Sequence, residues 1–328
     1  LRGMADTPPK SLDAALVWCR RDLRAHDHAA LYHALRAARR VWVAFVFDRD
    51  ILDALPRADR RVEFIRGSLV DLDGQLRALG RAAGVDGIGL IVRHGDARDE
   101  IPRLASALRV QAVYANADYE PAAVARDTRV RGALADAGIA FHPSKDQVVF
   151  DTDELLTGSG KPYGVFTPYK NAWLKKLEPF YLRPYPVERH AAALAPRPAG
   201  EGGVPPLAEI GFEPTNLAAL KIAPGTAGAR ALLDDFLDRM DRYDQTRDFP
   251  AVKGPSYLSV HLRFGTLSVR ELASLAWDRM RAGSRGAEVW LSELVWRDFY
   301  HQVLHHHPRI VDHAFKPEYD RIQWERGK

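Results

Sequence analysis

Short apolar segments alternate with helical patterns along the first part of this chain, and that alternation restricts the fold more than any other feature. Five segments are rich in β-branched and aromatic residues and are typical of strands: ALVWC, VWVAFVFD, GIGLIVRHGD, AVYANAD and IAFHPS. The segments between them, such as RRVEFIRGSLVDLDGQLRALG, carry apolar residues at helical spacing. Strands connected by helices form parallel sheets, so residues 12–144 are predicted to fold as a doubly wound α/β domain.

The ligand of such a domain is expected beyond the carboxyl ends of its strands. The sequence has neither G-x-G-x-x-G after the first strand nor G-x-x-x-x-G-K-[ST] elsewhere. The segment RRDLRAHDH follows the first strand instead, and its arginines fit a solvated turn as well as they fit a phosphate site. The fold of this part is therefore predicted, while its ligand stays open.

Length and composition exclude several classes of protein. The 328 residues can form two cores, and the excess of 47 Lys and Arg over 43 Asp and Glu is compatible with a nucleic-acid partner without indicating one. Cys19 is the single cysteine, which excludes an internal disulfide framework or a cysteine-rich zinc site and favours the cytoplasm. There is no apolar run long enough to cross a membrane, and the opening LRGMADTPPK lacks a signal peptide's apolar segment. We expect a monomer without a membrane partner.

The second half of the chain changes in character. The stretch 186–228 is rich in Pro, Gly and Ala and is typical of a connector without a core of its own. Beyond it, ARALLDDFLDRMDRYD, LSVRELASLAWDRMRAG and WLSELVWRDFYHQVL have helical patterns. We predict an interdomain connector over residues 145–225 and an all-helical domain over residues 226–328.

The last of these helices carries charges and aromatic rings on one face. At about 100° per residue, an arc of about 120° contains five residues: Trp290, Glu293, Trp296, Arg297 and Tyr300. The simplest interpretation is an ion pair between Glu293 and Arg297 beside core aromatics. The helix closes with three consecutive histidines, His305 to His307, which should point about 100° apart. We expect them to complement the helix dipole rather than to bind a metal.

Four long motifs follow one another along nearly the whole chain: WCRRDLRAHDHAAL, PYGVFTPYKNAWLKK, YDQTRDFPAVKGPSYLSVHLRFGTLSVREL and WLSELVWRDFYHQVLHHHP. In this order they resemble the DNA photolyase/cryptochrome family, and most of all its bacterial cyclobutane pyrimidine dimer photolyases. The resemblance implies an α/β domain, a long connector and a helical domain that holds FAD. In that family, light excites the reduced flavin, and an electron passes to a pyrimidine dimer flipped out of ultraviolet-damaged DNA. The cofactor carries the chemistry, and a poorly stacked dimer costs less to flip than normal bases.

The resemblance gives the unusual helix face a function. Trp296 matches the platform on which the flipped dimer stacks, and Glu293 matches a residue that contacts the dimer's carbonyl edge. To donate a hydrogen bond there, Glu293 must carry a proton. Trp290 and Arg297 are implied to line the pocket between flavin and dimer, and Tyr300 is implied to contact DNA.

Other matched positions lie upstream. The flavin diphosphate and ribityl chain are implied to contact four residues: Tyr243, Ser256, Leu258 and Ser259. Arg247 matches a contact to a DNA phosphate. The family pattern T-S-R-L-S is PSYLS here. Pro255 has no N–H to donate and Tyr257 removes a cation, so we expect a different loop geometry or flavin affinity.

The residues that hold a folate antenna in some family members are absent. Ala122 and Ala123 stand where an Asn-Glu pair is expected, and Val311 and Asp312 stand where a Cys-Lys pair is expected. Neither replacement forms the same hydrogen bonds. Folate is therefore not expected, while a deazaflavin, a flavin nucleotide or no antenna stay open.

The family extends beyond the last residue of this sequence, with further flavin contacts and two more tryptophans of an electron relay. Trp324 matches the outermost tryptophan of that relay. A truncated product and a fragment of a longer chain both fit this observation. We expect a 328-residue protein to retain little flavin and to be inactive in light.

Two alternatives to a light-driven repair lyase stay open. A cryptochrome-type photoreceptor would bind flavin without repairing DNA, although the Glu293 and Trp296 pair favours repair. A nucleotide-binding α/β module with a helical appendage would carry no photochemistry. Bound flavin would exclude the module, and dimer loss under blue light would distinguish repair from photoreception.

Overall fold

A computed structural model describes residues 10–325 and 327. Its first part is a parallel five-stranded sheet with the order β3-β2-β1-β4-β5. The strands are β1 (Leu12–Cys19), β2 (Ala38–Asp48), β3 (Ile91–Gly95), β4 (Ala112–Asn116) and β5 (Ala140–Ser144). All five coincide with the predicted strand segments, so the doubly wound sheet is confirmed. The strand order reverses between β1 and β4, the position at which such sheets open a crevice for ligands.

Five helices surround the sheet: α1 (Ala29–Ala37), α2 (Arg49–Leu52), α3 (Arg60–Ala82), α4 (Ala97–Ala107) and α5 (Pro121–Asp136). Side chains at the N-caps start several of them, and Asp59 and Asp96 accept hydrogen bonds from the backbone of the first turns of α3 and α4. One apolar core includes buried residues of α1 and α3, and the other includes buried residues of α4 and α5. Both faces of the sheet are thus covered, as a parallel sheet requires.

The predicted connector, residues 145–225, does not stand apart from the two cores. Its first part contains α6 (Phe166–Lys176), and Phe150, Tyr169 and Trp173 are buried in the helical core. Its second part forms short 3₁₀ turns, and Val187, Leu194 and Phe212 are among its residues that pack into one core of the sheet domain. The Pro- and Gly-rich composition therefore reflects irregular backbone and not an exposed linker.

The helical part consists of α7 (Gly225–Leu237), α8 (Tyr243–Thr246), α9 (Ser259–Phe264), α10 (Val269–Arg281) and α11 (Arg285–His306). Ser268 and Ser284 cap the N-termini of α10 and α11 by accepting backbone hydrogen bonds. The predicted helices of this part are confirmed, although α7 ends earlier than the pattern ARALLDDFLDRMDRYD indicated. Among residues 10–325 and 327, no helix combines the length and apolarity needed to cross a membrane.

Four buried charges, which we call the buried ion cluster (Arg24, Asp27, Asp146 and Arg270), join the two parts. Arg24 Nη2 lies 2.8 Å from Asp146 Oδ2, while Arg270 Nη2 lies 2.9 Å from Asp27 Oδ1 and 2.8 Å from Asp146 Oδ1. Burial alone would raise the pKa of Asp146, but Arg24 and Arg270 hold it well below its ordinary range. Since opposite charges neutralise one another across the junction, the cluster fixes α10 against the sheet domain.

Candidate functional site

The α11 surface carries a stack of aromatic rings. The Phe166 and Trp296 rings are parallel, with 3.5 Å between centroids and 7° between planes. The Tyr300 ring lies 5.4 Å from the Trp296 ring at 23°, and Tyr300 is 59% exposed. We call Phe166, Trp296 and Tyr300 the aromatic platform. Trp296 itself is half-buried, so it is accessible to a ligand while being held by its neighbours.

Glu293 lies next along this surface and is ion-paired with Arg247. Arg247 Nη1 donates to Glu293 Oε1, and this bond raises the pKa of the guanidinium. The two side chains are 31% and 35% exposed, so both remain open to a ligand. One expectation is corrected here: the cation beside Glu293 comes from the end of α8 and not from Arg297 one turn along α11. The contact of Glu293 with the dimer stays a prediction.

Arg297 points into a different part of the protein. It donates to the backbone oxygen of Gln147, and burial lowers its pKa, with Asp298 opposing that shift. It lines a cleft of about 350 Å³, the α11 cleft, together with Ser259 and Tyr300. The single face predicted from helical spacing is therefore divided, because long side chains one turn apart turn towards different partners. Ser259, Arg297 and Tyr300 do come together in this cleft.

Trp290 and Tyr243 lie behind the surface. Trp290 is 3% exposed and packs against Phe236, with 4.9 Å between ring centroids. Tyr243 is also buried, and the Arg247 guanidinium lies 5.4 Å from its ring centroid. Trp290 therefore does not stand beside Glu293 at the open surface, because its indole fills the helical core.

The PSYLS segment forms a tight turn before α9. Tyr257 adopts a left-handed conformation with φ of 58°, and the backbone oxygen of Pro255 accepts from Arg239 Nη2 at 2.9 Å. Leu258 is buried, so its side chain packs inward, while Ser259 is exposed and Ser256 is half-buried. Accessible hydroxyls of this kind fit the diphosphate of a dinucleotide such as FAD. Whether this turn differs from the loop formed by T-S-R-L-S stays a prediction.

A second pocket of about 330 Å³, the strand-end pocket, lies where β1 and β2 end. The guanidinium carbons of Arg20 and Arg126 lie 4.4 and 4.9 Å from the centroid of the Trp18 ring at its wall. Asp48 is buried there, and burial raises its pKa. Ala122 and Ala123 are also in the lining, so the positions at which the resemblance leads us to expect an Asn-Glu pair do face this pocket. The aromatic, apolar and charged groups fit a planar heterocycle.

The segment RRDLRAHDH is structural for the most part. Arg24 is 2% exposed and belongs to the buried ion cluster, so neither the solvated turn nor the phosphate site describes it. Arg20 pairs with Asp127 at 2.8 Å. A signal was present in the sequence: Leu23, Ala25, Ala29 and Ala30 surround the charges with apolar residues, which a solvated turn does not require.

Asp298, next to Arg297, was not anticipated as an important residue. Its Oδ2 atom accepts from the backbone of Val149 at 3.0 Å and of Phe150 at 3.3 Å, and from Trp173 Nε1 at 3.1 Å. Burial raises its pKa to about 6, although these donors oppose the shift. Asp298 thus attaches α11 to α6, and its partners are too distant in sequence for a local pattern to reveal them.

Within the part of the chain that the structure describes, two groups of side chains have the spacing of metal ligands. The ligand atoms of Asp153, His305 and His306 lie within 4.8 Å of one another, so the argument that consecutive histidines diverge is wrong for this pair. The other group is Cys19, Asp22 and His28, and it is buried. His28 Nδ1 accepts from the backbone of α1 at 3.1 Å, which leaves the proton on Nε2 facing Asp22 Oδ2 at 3.1 Å. This histidine serves as a helix cap.

The segment after α11 exposes several apolar side chains. Trp324 is 78% exposed and lines a shallow hollow with Tyr319 and Ile322. Val311, which replaces one of the expected folate contacts, is 59% exposed. The relay function of Trp324 therefore stays a prediction.

The comparisons with known proteins agree with this architecture. The family model for DNA photolyase matches residues 15–191, and the model for the FAD binding domain of DNA photolyase matches residues 290–328. A deoxyribodipyrimidine photo-lyase from Synechococcus is 33% identical, over 94% of this chain and 64% of the relative. A class III photolyase from Agrobacterium tumefaciens has a TM-score of 0.81 at 26% identity, covering 98% of this chain and 65% of that one.

A further solved structure is an archaeal photolyase from Sulfolobus tokodaii with two FAD molecules, with a TM-score of 0.75 at 27% identity. It covers 95% of this chain and 64% of the archaeal one. The chain thus spans slightly less than two thirds of the length of these relatives. Since the photolyase model matches more than half of its residues and the sheet, connector and helical part coincide with solved photolyases, the chain belongs to the DNA photolyase family.

Proposed function

We propose that the protein splits cyclobutane pyrimidine dimers in ultraviolet-damaged DNA, using light and reduced FAD. The observation that carries this proposal is the aromatic platform beside the Arg247–Glu293 pair. A flat accessible ring recognises an unpaired base, and a neighbouring cation recognises a phosphate. The similarity to deoxyribodipyrimidine photo-lyases supports this reading.

Trp296 binds the flipped dimer by stacking. Base-aromatic stacking contributes about 1–3 kcal/mol per base and tolerates differences in sequence, so the platform reads an extruded base without reading its identity. Selectivity arises because a dimer pairs and stacks poorly in the duplex and is extruded at a lower cost than normal bases. Tyr300, more exposed than Trp296, extends the stacking surface towards DNA.

The Arg247–Glu293 pair responds to DNA. A phosphate attracts the Arg247 guanidinium and competes with Glu293 for it, because both anions bind the same donors. Once Arg247 turns to the phosphate, Glu293 loses its cation, and after taking up a proton it can donate a hydrogen bond to the dimer's carbonyl edge. The pair therefore couples backbone binding to the availability of the carboxyl group.

The flavin would be held on the same side of the helical part. Ser256 and Ser259 would contact the diphosphate, and Tyr243 would cover the ribityl side. Reduced FAD, when bound, supplies the light-excited electron for cleavage. The buried aromatic side chains behind α11, including Trp290, exclude water from this wall of the site.

The experiment compares binding of the 328-residue protein to a short oligonucleotide with one cyclobutane thymine dimer and to the same oligonucleotide without it. We expect tighter binding to the damaged strand; equal affinities would contradict the proposal. Dimer loss under blue light, with reduced FAD present, then separates repair from the second candidate; it is measured on a chain of the relatives' full length, because we expect the 328 residues alone to be inactive in light. A protein that binds flavin and dimer but leaves the dimer intact would be a photoreceptor of the cryptochrome type.

We also propose that the strand-end pocket holds a second planar chromophore of the flavin type. The Arg20 and Arg126 guanidiniums on Trp18 and the buried Asp48 offer stacking surface and polar edges for an isoalloxazine. The Sulfolobus photolyase with two FAD molecules supports such a second flavin. Extraction and chromatography of the bound chromophores tests this proposal. Near-stoichiometric folate, or flavin binding unaffected by replacing Ala123 with Trp, would contradict it.

A further inference from the structure

We infer that Phe166 is a positioning residue for lesion recognition, since it fixes the plane of the Trp296 ring from behind. This inference rests on the proposed function. The motif PYGVFTPYKNAW contributed to the family resemblance without receiving any function of its own. The structure places its phenylalanine parallel to Trp296, with centroids 3.5 Å apart.

The support for Phe166 comes from α6. Phe166, Tyr169 and Trp173 lie at i, i+3 and i+7, so they share one face of this helix. Tyr169 packs on Phe299 with 5.2 Å between centroids, and Trp173 donates to Asp298 at 3.1 Å. All three aromatic residues thus contact α11. Tyr169 and Trp173 are nearly inaccessible, at 2% and 0% exposure, and they hold Phe166 in place.

Phe166 is part of the packed helical core and is not a mobile ring that covers the base-binding face of Trp296. The loop before it is exposed, with Val165 at 64%, and a side chain added at Gly158 or Gly164 would meet open space. A ring on that loop could swing away, but Phe166 is the first residue of α6 and belongs to the edge of the helical core. It therefore packs on one face of Trp296, so a base that stacks on this ring would take the opposite face, next to or in place of the exposed Tyr300 ring.

A fixed ring plane increases affinity because the indole loses less rotational freedom when the base stacks on it. Leucine preserves apolar volume at position 166 but offers no flat surface, whereas tyrosine preserves the ring. Aromatic pairs contribute about 0.5–1.5 kcal/mol beyond their burial, so losing the ring should reduce the preference for damaged over undamaged DNA about three- to tenfold.

The test measures the affinity of the 328-residue protein for the thymine-dimer oligonucleotide and its undamaged counterpart in F166L, F166Y and the control F180L. Phe180 is 66% exposed and its ring contacts Tyr181, away from the platform. We expect F166L to lose most of the preference, and F166Y and F180L to retain it. A thermal unfolding midpoint for each variant separates this effect from a loss of folded protein.

Other results would overturn the inference in distinguishable ways. If the wild-type protein prefers the damaged strand and F166L keeps that preference, Phe166 is only a packing residue. If F166L binds the damaged strand more tightly, Phe166 covers the ligand face instead of supporting it. If the wild-type protein binds both strands equally, the proposed function itself fails and this inference fails with it.

Discussion

Two of the groups of opposite charges in this molecule differ in burial and in access to a ligand. In the buried ion cluster, Arg24, Asp27, Asp146 and Arg270 are 1–6% exposed and each charge faces an opposite one. On the α11 surface, the side chains of Arg247 and Glu293 are each about one third exposed. A ligand cannot reach the buried ion cluster. By contrast, Arg247 or Glu293 can release its partner and bind a ligand instead.

The difference shows that an ion pair indicates a binding function only where a ligand can reach its charged groups. Except for Asp146, the members of both groups come from motifs that resemble the same family, and both groups perturb the pKa of their members. A closed cluster exchanges no partner with a ligand and therefore serves to join the two parts of the chain. An open pair next to a flat aromatic ring has the composition of a nucleic-acid site.

The largest expected effect is a loss of stability when one carboxylate is removed from the buried ion cluster. Asp146→Ala leaves Arg24 and Arg270 as buried cations without that carboxylate, so the free energy of unfolding should fall by about 3–5 kcal/mol. Urea unfolding measures it. Asp99→Ala is the control, since Asp99 is 62% exposed and lies 4.0 Å from Arg103, and it should change stability by less than about 0.5 kcal/mol. A similar small loss in both variants would show that the cluster does not join the two parts.

A second, smaller effect concerns the attachment of α11 to α6 and depends on pH. The folded-state pKa of Asp298 is raised to about 6, above its ordinary value of 3.8, so the folded protein binds more protons than the unfolded chain between these values. Stability contributed by Asp298 is therefore present at low pH and is lost as the pH rises through about 6.

Asp298→Asn removes this titration while keeping an oxygen for the donors of Val149, Phe150 and Trp173. The unfolding free energy of the variant minus that of the wild type should increase by about 2–3 kcal/mol when the pH is raised from about 4 to about 7. Comparing the two proteins at both pH values cancels the other titrating groups. A difference that stays constant with pH would contradict the assignment.

Replacing a member of the Arg247–Glu293 pair should change DNA affinity and leave the free energy of unfolding nearly unchanged. Arg247→Gln is expected to weaken binding to damaged and undamaged strands alike and to lower the slope of log affinity against log salt by about 1. Arg285→Gln is the matched control, because Arg285 is 67% exposed at the start of α11 and pairs with Glu288. An unchanged salt slope in Arg247→Gln would mean that Arg247 does not contact a phosphate.

The sequence predicted the sheet better than it predicted the site, for a physical reason. The strands of residues 12–144 are short apolar runs whose period and connections are local, so all five could be recognised. The α11 face depends on partners far along the chain: Arg247 for Glu293, Phe166 for Trp296 and Gln147 for Arg297. Helical spacing indicates which side chains share an arc, but long side chains select their partners in three dimensions.

The expectation that this length of chain holds FAD weakly stays a prediction. Gel filtration of the protein after incubation with FAD measures it, through flavin absorbance that elutes with the protein. A near-stoichiometric flavin content would show that Ser256, Ser259 and Tyr243, with their neighbours among the 328 residues, are sufficient for tight binding.

The central claim is that the open aromatic surface on α11 recognises damaged DNA, and the affinity of Trp296→Ala for damaged and undamaged oligonucleotides tests it most directly. Trp296→Phe, which keeps a smaller ring, is the matched variant. We predict that Trp296→Ala weakens binding to the dimer-containing strand about tenfold or more and changes binding to the undamaged strand little, while Trp296→Phe lies between. Equal losses for both strands would contradict the account and would make Trp296 a packing residue of the helical core.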